Sequence, residues 1–112
     1  MKANKEKMPL VYICSPFSGD TDRNLKEARR YCRFALAKGG VPIAPHLLFP
    51  QFMKESTERE LAMRMDLLIL ERCDKIFVFG KRASSGMQAE IAYAEKRKIP
   101  IRFITEDELC TK

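Results

Sequence analysis

A chain of 112 residues with 46% hydrophobic and 32% charged side chains has room for one globular domain and is too apolar to stay disordered. Its apolar runs, such as residues 67–70, fall far short of the roughly 20 residues that span a bilayer, so a membrane helix is excluded. The net charge of +6 is dispersed, without the aromatic-interleaved stripe on which bases stack; it reads as a solvated surface that attracts small anions, and nucleic acid is disfavoured as a partner.

Residues 1–9, with Lys2, Lys5 and Lys7, read as a basic solvated tail, and residues 10–112 as the domain. The apolar run that follows the lysines is about five residues, too short for a signal peptide, which points to the cytoplasm. Cys14, Cys32, Cys73 and Cys110 are widely spaced with no C-x-x-C pair, so they are expected to be reduced, buried thiols rather than a disulfide frame or a zinc site.

In chain order, residues 10–14 (LVYIC) form a β-rich run closed by Ser15-Pro16. A polar loop over residues 18–22 leads to Asn24, a candidate helix cap, and Leu25, Ala28, Cys32, Ala35 and Leu36 then recur at helical spacing up to Gly39-Gly40. Residues 41–44 are a second strand, followed by a proline-bracketed apolar loop, residues 45–50. Thr57-Glu-Arg-Glu60 is a capping-box pattern opening a second helix, with Leu61, Met65, Leu68 and Ile69 as its buried stripe. Residues 75–79 are a third strand, apolar throughout after Lys75. Ser85-Gly-Met-Gln88 is another capping box, starting a helix that runs to about Arg97. Residues 99–104 are a fourth strand and 105–110 a short terminal segment.

Strict β-α alternation predicts an α/β fold: a three-layer, flavodoxin-like (Rossmann-like) domain with a parallel four-stranded sheet in the order 2-1-3-4. Ligands of such sheets bind beyond the carboxyl ends of the strands where the order reverses, between strands one and three. The loops expected there are residues 15–22, beginning Ser15-Pro16-Phe17, and residues 80–86.

At the second of these, Ser84-Ser85-Gly86-Met87 stands where a helix begins after a strand, so its free N–H groups and hydroxyls can hold an anion or simply cap the helix. Glu90 follows among Ala89, Ile91, Ala92 and Ala94. A carboxylate in that setting can act as a nucleophile or carry a proton. Asp66 interrupts the apolar part of the second helix, as a solvated position or as a second carboxylate of the same cleft. His46, the one histidine, fits packing as well as chemistry. Lone carboxylates without a clustered donor set argue against a metal.

Val11-Tyr-Ile-Cys-Ser-Pro16, Asp66-Leu67, Cys73-Asp74 entering a strand, and Ser84-Ser-Gly-Met-Gln-Ala-Glu-Ile91 followed by Ala94, in that order and spacing, resemble the nucleoside 2-deoxyribosyltransferase superfamily, which includes the deoxynucleoside 5′-monophosphate N-glycosidases. The small deoxyribosyltransferase-like proteins of bacteria and phages are the most similar group. The resemblance spans residues 10–104 and implies N-glycosidic cleavage of a nucleoside, a nucleotide or a nucleotide-derived signal, with no cofactor. It implies Glu90 as nucleophile on the anomeric carbon, Asp66 as helper of the leaving base, Tyr12 as the aromatic residue that steadies the nucleophile, and Ser84 with Gly86 as phosphate holders. Ser15, Pro16, Phe17, His46, Ser85 and Met87 are the remaining expected substrate contacts. A homodimer or higher homo-oligomer is also implied, with residues 45–52 and Met63 as contact surface. The chain departs from the pattern in having Ser15-Pro-Phe-Ser-Gly19 in place of a glycine-rich loop, and Ala92 where other members have glycine. The competing reading is a non-catalytic nucleotide-binding or sequestering protein on the same fold.

Overall fold

The computed structural model describes residues 7–17 and 19–110. Most of the basic tail, including Lys2 and Lys5, lies outside the described residues, as does Ser18. Lys7 and Met8 are exposed.

Four strands, β1 (Leu10–Cys14), β2 (Val41–Ile43), β3 (Lys75–Val78) and β4 (Ile101–Phe103), form one sheet in the order β2-β1-β3-β4, every pairing parallel. Register sets Tyr12 beside both Ile43 and Ile76, and Ile76 beside Ile101. The helices are α1 (Thr21–Ala37), α2 (Pro45–Leu48), α3 (Glu55–Glu71), α4 (Ser85–Lys96) and α5 (Glu106–Cys110). The expected class and strand order are those observed.

Side chains alternate across a strand, so β1 divides itself between two cores. Val11 and Ile13 join Tyr31, Phe34 and Ala35 of α1 with Phe77, Phe79 and Ile104. Tyr31 stacks on Phe79 with centroids 4.2 Å apart, and Phe34 meets Phe77 and Phe79 edge-on. Tyr12 and Cys14 face the other way, towards Leu70 of α3 and Met87 and Ala94 of α4. Gly39, at φ +90°, turns the chain out of α1, and Gly40 packs so close to β1 that a Cβ there would stand 2.6 Å from Val11 Cγ2.

Several local expectations are corrected. Asp20, not Asn24, caps α1 by accepting from the Arg23 N–H; Asn24 lies within the helix and its side chain donates to the Phe17 carbonyl. The buried row of α1 is Ala28, Tyr31, Phe34 and Ala35, while Leu36 is exposed, because the two aromatic rings take the face towards the sheet. Residues 45–50 are not a loop. Each proline sits in the first turn of a short helix, α2 and then a 3-10 turn at Phe49–Gln51, where its missing N–H costs nothing. The Thr57–Glu60 pattern marks a kink: α3 begins at Glu55, and Glu58 departs from helical geometry (φ −121°, ψ 21°) while accepting from the Lys54 N–H.

The expected stripe of α3 is out of phase. Leu61 and Leu68 are exposed, Met65 and Ile69 are half-buried, and Leu70 is the residue wholly inside. Strand β4 is shorter than expected because Ile99 N–H bonds the Ala94 carbonyl and so still belongs to the end of α4. Of the four cysteines, all free, Cys14 and Cys73 are buried as expected, Cys32 is half-buried, and Cys110 is exposed. Among the described residues no helix is long and apolar enough to cross a membrane.

Candidate active site

Beyond the carboxyl ends of β1 and β3 the chain forms a cleft of about 120 Å³. Its floor comes from α4. Positions 87, 90 and 94 share one helix face, so the periodicity that buries Met87 and Ala94 carries Glu90 inward with them. Glu90 is 7% exposed. Buried carboxylates are costly unless donors meet them, and here the Tyr12 hydroxyl donates to Glu90 Oε2 at 2.8 Å. Burial raises the Glu90 pKa, and its interactions with Tyr12, Cys14 and Asp66 oppose the rise.

Asp66 reaches the same point from α3, on the helix face shared by Ala62 and Met63, which also line the cleft. Its pKa is raised, first by burial, then by the charge of Glu90 and its hydrogen bond to Glu90. Two carboxyl groups this close ionise as a pair. Burial and the neighbouring charge of Glu90 favour the protonated form of Asp66, while the Tyr12 hydroxyl favours the ionised form of Glu90.

The opposite wall is built by Ser15, Phe17 and His46. Ser15 Oγ and His46 Nε2 share a hydrogen bond of 2.8 Å, and Phe17 meets the imidazole edge-on at 6.4 Å. Burial lowers the His46 pKa to about 4, so the ring is neutral near pH 7. At the head of α4, Ser84 rather than Ser85 is the cap: its backbone is extended and its Oγ accepts from the Met87 N–H at 3.3 Å. The side chain of Gln88 donates to the Ala83 carbonyl, so the expected capping box does not form. Gly86 is tight against Met63, whose Cε would lie 3.2 Å from an added Cβ.

The cleft thus gathers Glu90, Asp66, Ser15, Phe17, His46, Ser84, Gly86 and Met87. Three expected site residues lie off its surface. Tyr12 is beneath it, under Glu90. Pro16 turns away, towards Gly80, and Ser85 is exposed on the first turn of α4. Residues not expected there are Phe49, Met53, Glu58, Arg59 and Met63, supplied by the 3-10 turn, the link that follows it and α3. Met63 therefore belongs to the cleft wall, whereas Leu48 and Phe52 are exposed. The rim carries Lys54 and Arg59 with Glu55 and Glu58, and Arg59 pairs with Glu55. Among the described residues no group of three or more His, Cys, Asp or Glu side chains is placed to hold a metal ion.

The sequence profile of a family described as a domain of unknown function (DUF7768) matches residues 9–104. Among curated proteins no sequence matches the chain. Among solved structures, a 2-deoxyribosyltransferase from the psychrotolerant bacterium Bacillus psychrosaccharolyticus superposes with a TM-score of 0.69 at 16% sequence identity, over 85% of this chain and 71% of that one. At that identity the likeness is one of fold: the parallel four-stranded α/β sheet in the order 2-1-3-4.

Proposed function

The chain belongs to the DUF7768 family, and we propose that it cleaves the N-glycosidic bond of a nucleoside or nucleotide through the carboxylate of Glu90. The observation that carries this reading is the convergence of Asp66 and Glu90 on one cleft, where the Tyr12 hydroxyl donates to Glu90 and burial raises the pKa of Asp66. Environments that separate two carboxyls into one acid and one base are the arrangement glycosyl transfer requires.

In the first step Glu90 attacks the anomeric carbon as the bond from that carbon to the base nitrogen breaks. The bonding pair leaves with the base, which takes the proton of Asp66. Charge builds on the sugar as an oxocarbenium-like centre, and the adjacent carboxylate stabilises it. In the second step water attacks the same carbon, gives its proton to the Asp66 carboxylate, and the ester bond breaks to return Glu90 as carboxylate. A second base in place of water makes the same chemistry a transfer. Every proton and electron pair is accounted for by residues of this chain and the substrate.

Other features support the reading. Neutral His46 and Ser15 offer uncharged hydrogen bonds across the cleft, suited to sugar hydroxyls or base edges. The Ser84–Met87 turn opens α4, where a 5′-phosphate would meet free N–H groups. Exposed Leu48, Phe52 and Leu61 support association with a second copy, which light scattering reading only 13.0 kDa would remove from the proposal.

The test is incubation with a panel of nucleosides and their 5′-phosphates, ribo and deoxy, with the free base measured chromatographically. Base release by the wild type is expected. Tight binding of a panel member with no base released would replace the enzyme by a sequestering module.

A further inference from the structure

The reaction above leaves open what the sugar carries at its 5′ end, and two residues of the cleft bear on it. Gly86 lies in the first turn of α4. Unlike Gly19, Gly39 and Gly80 it has no positive φ that would call for glycine. Its missing side chain leaves room that α3 takes up: Met63 Cε would stand 3.2 Å from a Cβ at position 86, closer than an ordinary van der Waals contact. Met63 and Gly86 both line the cleft, and Met63 is half-buried. From the cleft, a group approaching the backbone at Gly86 meets a thioether methyl instead of open space.

Charge points the same way. Among the described residues the lining carries two cations, Lys54 and Arg59, against four carboxyl groups, Glu55, Glu58, Asp66 and Glu90. Arg59 pairs with Glu55, so the rim is matched within itself and the floor adds two acids, Asp66 and Glu90. Lys81 and Arg82, in the loop that leads into α4, are exposed; Lys81 borders a separate depression with Glu106. The net charge of +6 therefore does not extend into the cleft. At the head of α4 the N–H groups of Met87 and Gln88 are already bonded to Ser84, through its Oγ and its carbonyl. A phosphate monoester carries about −1.5 to −2 charges at pH 7, and drawing it out of water calls for cations or several unused donors.

Resting on the function proposed above, we infer that the substrate is an unphosphorylated nucleoside and that Met63 is the residue that sets this specificity, its methyl standing at Gly86 in a cleft with no surplus of cations. A neutral 5′-hydroxymethyl group packs against a methyl without losing a charge's hydration, and the Ser15–His46 pair offers it uncharged hydrogen bonds. A phosphate in the same place displaces Met63 and faces the floor carboxyl groups. The discrimination thus works by excluding the wrong ligand as much as by holding the right one.

The test compares each nucleoside of the panel with its own 5′-monophosphate, reading kcat/KM for base release. Wild type is expected to favour the nucleoside by at least about thirtyfold, and Met63→Ala to narrow that ratio about tenfold by opening the turn. Met63→Leu, whose side chain ends one bond short of Cε, is expected to fall between them. A wild type that works as well on the 5′-monophosphates overturns the inference and leaves the glycosidase reading intact, and a ratio unchanged in both folded variants overturns it too. Calorimetric binding to folded Glu90→Gln protein separates the two readings. A nucleoside held at least about tenfold more tightly than its 5′-monophosphate, in a protein whose wild type releases no base, upholds the substrate class and places the failure on catalysis. The reverse order of affinity overturns the inference whether or not the protein is an enzyme.

Discussion

On the α1 side of the sheet, β1 contributes Val11 and Ile13 to a cluster of aromatic rings and aliphatic side chains. On the α3 and α4 side the same strand contributes Tyr12 and Cys14, and the Tyr12 hydroxyl donates to Glu90. Both faces are equally closed to solvent along β1. They differ in what burial does. On the first face it removes apolar surface from water and so stabilises the fold. On the second it raises the pKa of Glu90 and Asp66, which costs stability and, in the proposed mechanism, supplies reactivity. A single alternating strand therefore separates the two tasks by residue parity, and substitutions on the two faces are expected to have opposite signatures.

The largest effect belongs to Glu90. Glu90→Ala is expected to abolish base release by more than about 10⁴-fold, beyond what loss of an acid–base group alone explains, as judged by chromatography. Its folding stability is a separate reading. A glutamate near a helix start is ordinarily worth only a few tenths of a kcal/mol through the helix dipole, but Glu90 is buried and accepts from Tyr12. Truncation strands that hydroxyl at a cost of about 1–3 kcal/mol, whereas Glu90→Gln keeps an acceptor and is expected to stay near wild type in stability. Residual base release within a few-fold of wild type in either variant would break the division between the two faces.

Phe79→Ala reverses the signature. It removes the ring stacked on Tyr31 and met edge-on by Phe34, and is expected to cost about 3–5 kcal/mol of unfolding free energy in denaturant titration. Under conditions where the variant is folded, its turnover is expected to stay close to wild type. A folded Phe79→Ala protein with no activity would show that the faces are coupled.

The smallest effect sharpens the comparison through pH. Asp66 has its folded pKa raised, so its stabilising contribution is present below the unfolded value and is lost as pH rises through the folded one. Wild-type stability is expected to fall from mildly acidic to alkaline pH, and Asp66→Asn to flatten that fall by on the order of 1–3 kcal/mol. His46 acts at the other end. Its pKa is lowered to about 4, so its contribution is present above the unfolded value and lost as pH falls through about 4. A thermal melt whose alkaline slope is the same in Asp66→Asn as in wild type would remove the raised Asp66 pKa from the account.

Much of this was legible in the sequence. Alternation of short β-rich runs with helical periodicity carried the sheet and its order, since crossover rules leave few choices once four parallel strands are given. Glu90 stood out because an acidic residue sat among alanines, and Asp66 because it broke an apolar run. The phase of α3 was not legible. Leu61, Met63, Met65, Leu67, Leu68, Ile69 and Leu70 surround the helix axis, so sequence spacing offers more than one stripe, and packing against α4 decides among them. The cap of α4 was ambiguous for a similar reason: Ser84 and Ser85 are both capping residues, and backbone geometry selects the first. The cleft wall supplied by residues 49–63 was missed because proline-bracketed apolar residues read as a loop.

The central claim is that Glu90 bonds to the sugar. Incubation with a 2′-fluoro-2′-deoxynucleoside slows both steps by destabilising the oxocarbenium-like centre, and intact-mass and peptide mass spectrometry then read the protein itself. The account gives a mass gain equal to the fluorinated sugar, located on Glu90 and absent in Glu90→Gln. Base released from that substrate with the protein mass unchanged throughout, or a sugar found on any other residue, would contradict it.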